Sequence, residues 1–148
     1  MMHKILSFIN KIFPVQTAYA HCDVPCGIYE TNTATTAART VAKMTEKIMQ
    51  LALPDWNNPL AVQQYENSMA RFVAEKEEEA QKCKTELLIL WTDYFKPEHL
   101  QTFPELHEIF WKAAKLCSKV KQEINMEATI ELQKAVENIA QMFEATKK

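Results

Sequence analysis

The sequence predicts an all-α protein, an up-down four-helix bundle. The 148 residues include one glycine and six prolines, too few turn-forming residues for an all-β chain of this length. Four stretches repeat apolar residues every three or four positions, which is the periodicity of an amphipathic helix. The connections between these stretches are short, so we expect neighbouring helices to pack antiparallel around one core.

The first predicted helix begins shortly after Tyr29, with Asn32 or Thr33 as its N-cap, and Pro54 follows its end. Its apolar stripe comprises Ala34, Ala37, Ala38, Val41, Met44, Ile48 and Leu51. The second helix is predicted from Asn58 as N-cap and Pro59 as first residue to about Tyr94. Its inward-facing residues are predicted to be Tyr65, Met69, Phe72, Cys83, Leu87, Leu90, Trp91 and Tyr94.

The third and fourth helices follow a break in the pattern at Pro97 and Pro104. The third apolar stripe comprises Leu106, Ile109, Phe110, Ala113, Cys117, Val120 and Ile124. The fourth helix follows Asn125, with Thr129, Leu132, Val136, Ile139 and Phe143 on one side. The acidic run 75–79, which contains Lys76, is predicted to be a solvated helix face.

Charge and hydropathy exclude two classes of partner. The formal net charge is -2, and no basic stripe indicates a phosphate-backbone ligand, so nucleic acid is not expected. The apolar run 5–13 is interrupted by polar residues and is too short to cross a bilayer, so no membrane span is expected.

Residues 1–20 resemble a removable leader. They contain two lysines, no acidic residue, and small side chains at Ala18 and Ala20, which fit an A-x-A cleavage pattern. Two interpretations remain open from this segment alone: an extension that stays attached, or a pro-segment whose removal makes His21 the first residue. In the second case residues 21–148 form the functional domain.

The stretch 21–29, HCDVPCGIY, is the candidate for chemistry and is called the hook below. It holds two of the four cysteines and the only glycine. Pro25 restricts the backbone and Gly27 permits a turn, so the segment can curl. A small disulfide loop is one interpretation. A structural zinc site would need a second ligand pair, and a redox C-x-x-C motif is absent.

Cleavage between Ala20 and His21 would create a different donor set. The new amine, the Cys22 amide nitrogen and the thiolates of Cys22 and Cys26 could surround one ion in a plane. Such donors suit Ni²⁺ or Cu²⁺, and because copper(II) would oxidise the thiolates, nickel fits better. The His21 imidazole could reach an axial position and support nickel(III).

The hook resembles the nickel hook of nickel-containing superoxide dismutases, with its pattern H-C-x-x-P-C-G-x-Y. The stretch 90–110, LWTDYFKPEHLQTFPELHEIF, is also similar to this family. The resemblance implies an oxidoreductase that disproportionates superoxide to dioxygen and hydrogen peroxide through Ni(III)/Ni(II) cycling, with one nickel per chain. It further implies a cytoplasmic homohexamer and a peptidase that removes residues 1–20.

The resemblance also assigns roles to residues of the hook. It implies that His21 provides amine and imidazole, Cys22 amide and thiolate, and Cys26 the second thiolate. Tyr29 would stand over the open face of the metal. The supporting residues implied are Asp23, which fixes the hook, Pro25, which would be cis, and Gly27.

Outside the hook, the resemblance places Arg71 beside the axial imidazole, whereas Ala37 stands where the family has a glutamate. Because the chain is negatively charged, steering of the superoxide anion is assigned to local lysines, with Lys96 and Lys112 as candidates.

The remaining polar candidates have more ordinary interpretations. His99 and His107 are predicted to form local hydrogen bonds, and Cys83 and Cys117 to be packed thiols. Asp93, Tyr94 and Lys96 would have a function only if the fold brings them against the hook. The alternative to an enzyme is a non-catalytic helical interaction module with an N-terminal disulfide loop.

Overall fold

The computed structural model describes residues 27–147. In that range the chain forms four α-helices and no strand: α1 Asn32–Gln50, α2 Pro59–Ile89, α3 Leu106–Gln122 and α4 Met126–Thr146. A π-helical stretch, Leu90–Tyr94, and a 3-10 helix, Pro97–Gln101, connect α2 to α3. The predicted fold class is confirmed. No helix in this part of the chain is long and apolar enough to cross a membrane.

The helices pack as an up-down bundle in which each contacts its two neighbours. α1 packs against α2 and α4, and α3 packs against the same two helices. The core contains side chains from all four helices, and its largest fully buried members include Leu87, Phe110, Leu132, Ile139 and Phe143. Burying one such side chain contributes about 1.5–3 kcal/mol, so this apolar contact holds the bundle together.

Two of the predicted helix starts are confirmed by their hydrogen bonds. The Asn58 side chain accepts from the amides of Leu60 and Ala61, with Pro59 as the first helical residue. The Asn125 side chain accepts from the Ala128 amide at 3.0 Å. In each case the asparagine oxygen satisfies an amide that has no partner inside the helix.

The start of α1 differs from the prediction. The helix begins at Asn32, and neither Asn32 nor Thr33 caps it. Both side chains instead donate to the carboxylate of Glu30, at 3.2 Å and 2.7 Å. The predicted caps are therefore wrong, because the Glu30 carboxylate just upstream accepts the hydrogen bonds of both side chains. The helix ends at Gln50, before Pro54.

α2 is much longer than the helices that cover it. Its 31 residues span about 46 Å, whereas the 17 residues of α3 span about 26 Å. The first half of α2 therefore extends past α3. Tyr65, Met69 and Phe72, predicted to face inward, are only half-buried for this reason.

The end of α2 widens into a π-helical stretch. The Phe95 amide donates to the Leu90 carbonyl, five residues earlier, at 3.0 Å. Single π turns often occur at functional sites. Leu90 is buried there, while Trp91 and Tyr94 are half-buried.

Two further predictions are wrong in detail. Ile124 is 55% exposed because α3 ends at Gln122 and Ile124 lies in the connection to α4. Within the acidic run, Lys76 is only 2% exposed. Its ammonium donates to the carbonyls of Val120 and Glu123, and also to that of Lys121, at the end of α3.

Candidate functional site

A cavity of about 440 Å³ lies at one end of the bundle. Its walls come from the segment that follows the hook cysteines, the π-helical stretch, the 3-10 helix and the last turn of α4. The lining residues are Gly27, Tyr29, Asp93, Tyr94, Lys96, Glu98, His99 and Thr146. The fold thus brings Asp93, Tyr94 and Lys96 next to the end of the hook, which was the condition for assigning them a function.

Two tyrosine rings form the aromatic part of this wall. The ring centroids of Tyr29 and Tyr94 are 5.4 Å apart at an interplanar angle of 60°. Tyr94 also contacts Phe143 of the core, with centroids 4.6 Å apart, and stacks on His99 at 6.0 Å. Because Phe143 is fully buried, the position of Tyr94 is set by core packing.

The hydroxyl of Tyr94 belongs to a short hydrogen-bond chain. The Thr146 hydroxyl donates to the Phe143 carbonyl at 2.7 Å, and it lies 2.7 Å from the Tyr94 hydroxyl. Since the Thr146 proton is used by the carbonyl, Tyr94 must be the donor to Thr146. The Tyr94 oxygen therefore keeps lone pairs that can accept a hydrogen bond from a group in the cavity.

The two histidines within residues 27–147 are His99 and His107. His99 forms the local hydrogen bond predicted for it, whereas the partner of His107 is sixteen residues away. His99 Nδ1 accepts from the Lys96 amide at 3.1 Å, and His107 Nδ1 accepts from the Trp91 indole at 2.8 Å. In the neutral state the proton of His99 is therefore on Nε2. In addition to this hydrogen bond, His99 lines the cavity.

The charges around the cavity are mixed. Lys96 faces the same space as the carboxylates of Asp93 and Glu98. Lys112, the other predicted steering lysine, does not line the cavity and forms an ion pair with Glu108 at 2.7 Å. The hydrogen bond and charge of each partner raise the pKa of Lys112 and lower that of Glu108.

Five predicted hook residues lie outside the described range: His21, Cys22, Asp23, Pro25 and Cys26. The first described residue of the hook, Gly27, has a φ of +70°, in the left-handed region that favours glycine. Within residues 27–147, no three His, Cys, Asp or Glu side chains are grouped so that they could hold a metal ion.

Ala37 and Arg71, the two positions compared with the family's partners of the axial imidazole, lie on different helices. Ala37 is fully buried in the first half of α1. Arg71 is exposed in the first half of α2, about 28 Å along the helix axis from Leu90. Arg71 does not line the cavity. Its predicted contact with His21 stays a prediction, because His21 lies outside the described residues.

Thr146 and His99 are cavity residues that the sequence did not single out as functional. Thr146 is far from the hook in sequence and carries no motif. His99 lies within the stretch 90–110 that resembles the family, and this position could have indicated a functional role. A local hydrogen bond was the simpler interpretation of this residue.

The fold and the cavity define the class, a four-helix bundle with a cavity at one end whose wall includes Gly27 and Tyr29 of the hook. A model of the family described as nickel-containing superoxide dismutase matches residues 16–147. The chain is 35% identical to "Superoxide dismutase [Ni]" of Streptomyces seoulensis over 144 residues, covering 95% of this chain and 98% of that protein. The corresponding Streptomyces coelicolor protein is 33% identical with the same coverage.

The solved structures agree with the sequence comparison. A native nickel superoxide dismutase structure matches with a TM-score of 0.72 and 30% identity, over 86% of this chain and all of that chain. A structure with nickel ligation of the oxidised state gives a TM-score of 0.72 and 31% identity, over 86% of this chain and 98% of that one. The chain belongs to the nickel-containing superoxide dismutase family, whose members are oxidoreductases with a nickel cofactor. This favours the enzyme over the non-catalytic interaction module.

Proposed function

We propose that this chain disproportionates superoxide to dioxygen and hydrogen peroxide at a nickel ion held by the hook, after residues 1–20 have been removed. The observation that carries this proposal is the position of Gly27. It lines the cavity together with Tyr29 and Tyr94. Cys26 is the residue before it, and consecutive Cα atoms are about 3.8 Å apart, so a donor is joined directly to the cavity wall.

The donor set of the hook fits nickel. The amine and imidazole of His21, the amide and thiolate of Cys22 and the thiolate of Cys26 combine nitrogen with soft sulfur. The bound metal supplies one-electron chemistry by alternating between Ni(III) and Ni(II). Because thiols and ammonium must lose protons before they bind, nickel uptake weakens as the pH falls. Asp23, Pro25 and Gly27 shape the loop.

The residues of the cavity control what approaches the hook. The rings of Tyr29 and Tyr94 narrow the access, so a small anion is admitted and larger reductants are kept out. The bond from Tyr94 to Thr146 holds the phenol in place. The Tyr94 oxygen and His99 Nε2–H offer an acceptor and a donor to water, from which the two protons of peroxide are supplied.

Steering of superoxide is assigned to Lys96. Lys96 lines the cavity, whereas Lys112 does not and is paired with Glu108. The carboxylates of Asp93 and Glu98 at the same cavity oppose the positive field of Lys96. The attraction of superoxide to Lys96 is therefore short-ranged, and it decreases as the salt concentration rises.

We extend the proposal to assembly and processing: a homohexamer in the cytoplasm, with a peptidase that cuts between Ala20 and His21. A group of apolar side chains around the α1–α2 connection supports subunit contacts. Met49, Leu53, Trp56 and Leu60 are 60–73% exposed, an unusual concentration for a surface that stays in water.

The proposal is tested by comparing a chain that begins at His21 with the chain that begins at Met1. The His21 form is expected to bind about one nickel per chain and to dismute superoxide, since it has the free amine. The Met1 form should do neither. Cys26→Ser in the His21 form is the control that keeps the amine and removes one thiolate. Equal nickel content and activity in the Met1 and His21 forms would contradict the proposal.

A further inference from the structure

The second half of α2 and the whole of α3 form an antiparallel hairpin with a clear register. The Lys84 ammonium donates to the Ser118 hydroxyl at 3.0 Å, and the Lys121 ammonium donates to the Gln81 amide oxygen at 3.0 Å. Trp91, in the π-helical stretch that follows α2, donates to His107, nearer the start of α3. Higher residue numbers on α2 are therefore paired with lower residue numbers on α3, as in an antiparallel arrangement.

This register places Cys83 opposite Cys117. Both are buried with no exposed surface and belong to the core. Both are free thiols. The register of the two helices and the common place of both residues in the core put the two side chains side by side. Ala80 and Ala113, about one turn away, are also fully buried. Small side chains beside the pair let the two helix backbones approach closely, which a disulfide between helices requires.

The two thiols are chemically different. The pKa of Cys117 is lowered, first by its interaction with the Cys83 side chain and also by the charge of Lys84. The pKa of Cys83 is raised, first by its interaction with Cys117 and then by burial. The thiolate is the nucleophile in cysteine chemistry. The Lys84 ammonium is held on the Ser118 hydroxyl, next to Cys117, and a nearby cation favours a thiolate. We therefore assign Cys117 as the sulfur that attacks and Cys83 as the thiol that resolves the product.

We propose that Cys83 and Cys117 form a peroxide-oxidisable pair that closes a disulfide between α2 and α3. The Cys117 thiolate attacks one oxygen of hydrogen peroxide, the O–O bond breaks, and Cys117 becomes a sulfenic acid while hydroxide leaves. The Cys83 sulfur then attacks Cys117, the S–O bond breaks and water leaves. In total, two thiols and one peroxide give one disulfide and two waters.

The oxidant is the product that the proposed function assigns to this enzyme, so the natural source of peroxide rests on that function. The loop that the disulfide closes, residues 84–116, contains the cavity wall from Asp93 to His99. The cross-link therefore ties this wall to the core. Because the pair is buried, peroxide must enter through local opening of the hairpin, and oxidation is slower than at an exposed thiol.

The test treats the nickel-loaded chain that begins at His21 with hydrogen peroxide and identifies the linked cysteines by peptide mass spectrometry after alkylation in denaturant. The expected result is a Cys83–Cys117 cross-link and an unfolding midpoint that rises by several degrees and returns with dithiothreitol. Cys117→Ala is the control that removes one partner, and it should show neither change. The proposal is overturned if both core cysteines remain alkylatable while hook cysteines are oxidised.

Two further arms separate the parts of the proposal. Lys84→Met should slow cross-linking several-fold, whereas Lys121→Met, which removes another inter-helix lysine, should not. Equal rates in the two variants overturn the assignment of Cys117 as the attacking sulfur. A steady flux of superoxide should produce the cross-link, and catalase should suppress it. If reagent peroxide forms the disulfide and the superoxide flux does not, the enzyme's own product is excluded as the oxidant, with the dismutase proposal unaffected.

Discussion

Replacing Lys76 by methionine removes a buried ammonium that caps the end of α3. The Lys76 nitrogen donates to the carbonyls of Val120, Lys121 and Glu123 at 2.6, 3.0 and 3.0 Å. The last carbonyls of an α-helix have no partner inside the helix, and a cation placed there also interacts favourably with the helix dipole. One side chain of α2 thus satisfies three acceptors of α3 and its connection to α4.

The expected loss follows from those three bonds. Methionine keeps the length and apolar stem of lysine, so the change mainly removes hydrogen bonds. At a net value of about 1 kcal/mol for each bond, the free energy of unfolding should fall by about 3 kcal/mol. For a chain of this size, such a loss lowers the unfolding midpoint by about 6–12 °C.

The assay is urea unfolding of wild type and Lys76→Met at one protein concentration, followed by circular dichroism. The matched control is Lys82→Met, which removes a lysine from the same helix. Lys82 is half exposed and pairs with Glu79 at 3.2 Å, so its loss should cost less than about 1 kcal/mol. If Lys76→Met unfolds within the error of Lys82→Met, the capping argument is refuted.

The other expectations concern steering, the axial ligand and the core. Lys96→Gln should lower kcat/KM several-fold at low salt and much less at high salt. Lys112→Gln should leave kcat/KM unchanged at both salt concentrations. If kcat/KM depends on salt equally in the two variants, local steering by Lys96 is excluded. His21→Ala should retain nickel through the other donors yet lose turnover, and unchanged activity would remove the axial role. Phe110→Ala should cost about 3–5 kcal/mol by calorimetry and Ile124→Ala less than about 0.5, since only the first is buried. Similar losses at the two sites would contradict the observed end of α3.

The helices were predictable because each depends on local pattern. Asn58 and Asn125 cap the helices that they precede in sequence, and the stripes containing Cys83 and Cys117 are buried as their spacing indicates. The hook was also recognisable, since its donors are close neighbours in sequence. Local signals of this kind need no knowledge of the tertiary structure.

What the sequence did not predict depends on distant contacts. Lys76 lies in an acidic run, yet its partners are more than forty residues away. The hydrogen bond between Tyr94 and Thr146 joins residues from different helices, so no local sequence pattern predicts it. Arg71 was chosen by resemblance, but helix rise places it far from the cavity wall. The hook could be recognised from the sequence, whereas the residues that line the cavity could be identified only from the structure.

The central claim is that a free amine at His21 completes the nickel site. The most direct measurement is the mass of the N-terminal peptide of the purified enzyme, taken on the same sample whose nickel content and dismutase activity are determined. The expected result is a polypeptide that begins at His21 and carries both nickel and activity. An active, nickel-loaded polypeptide that still begins at Met1 would contradict it.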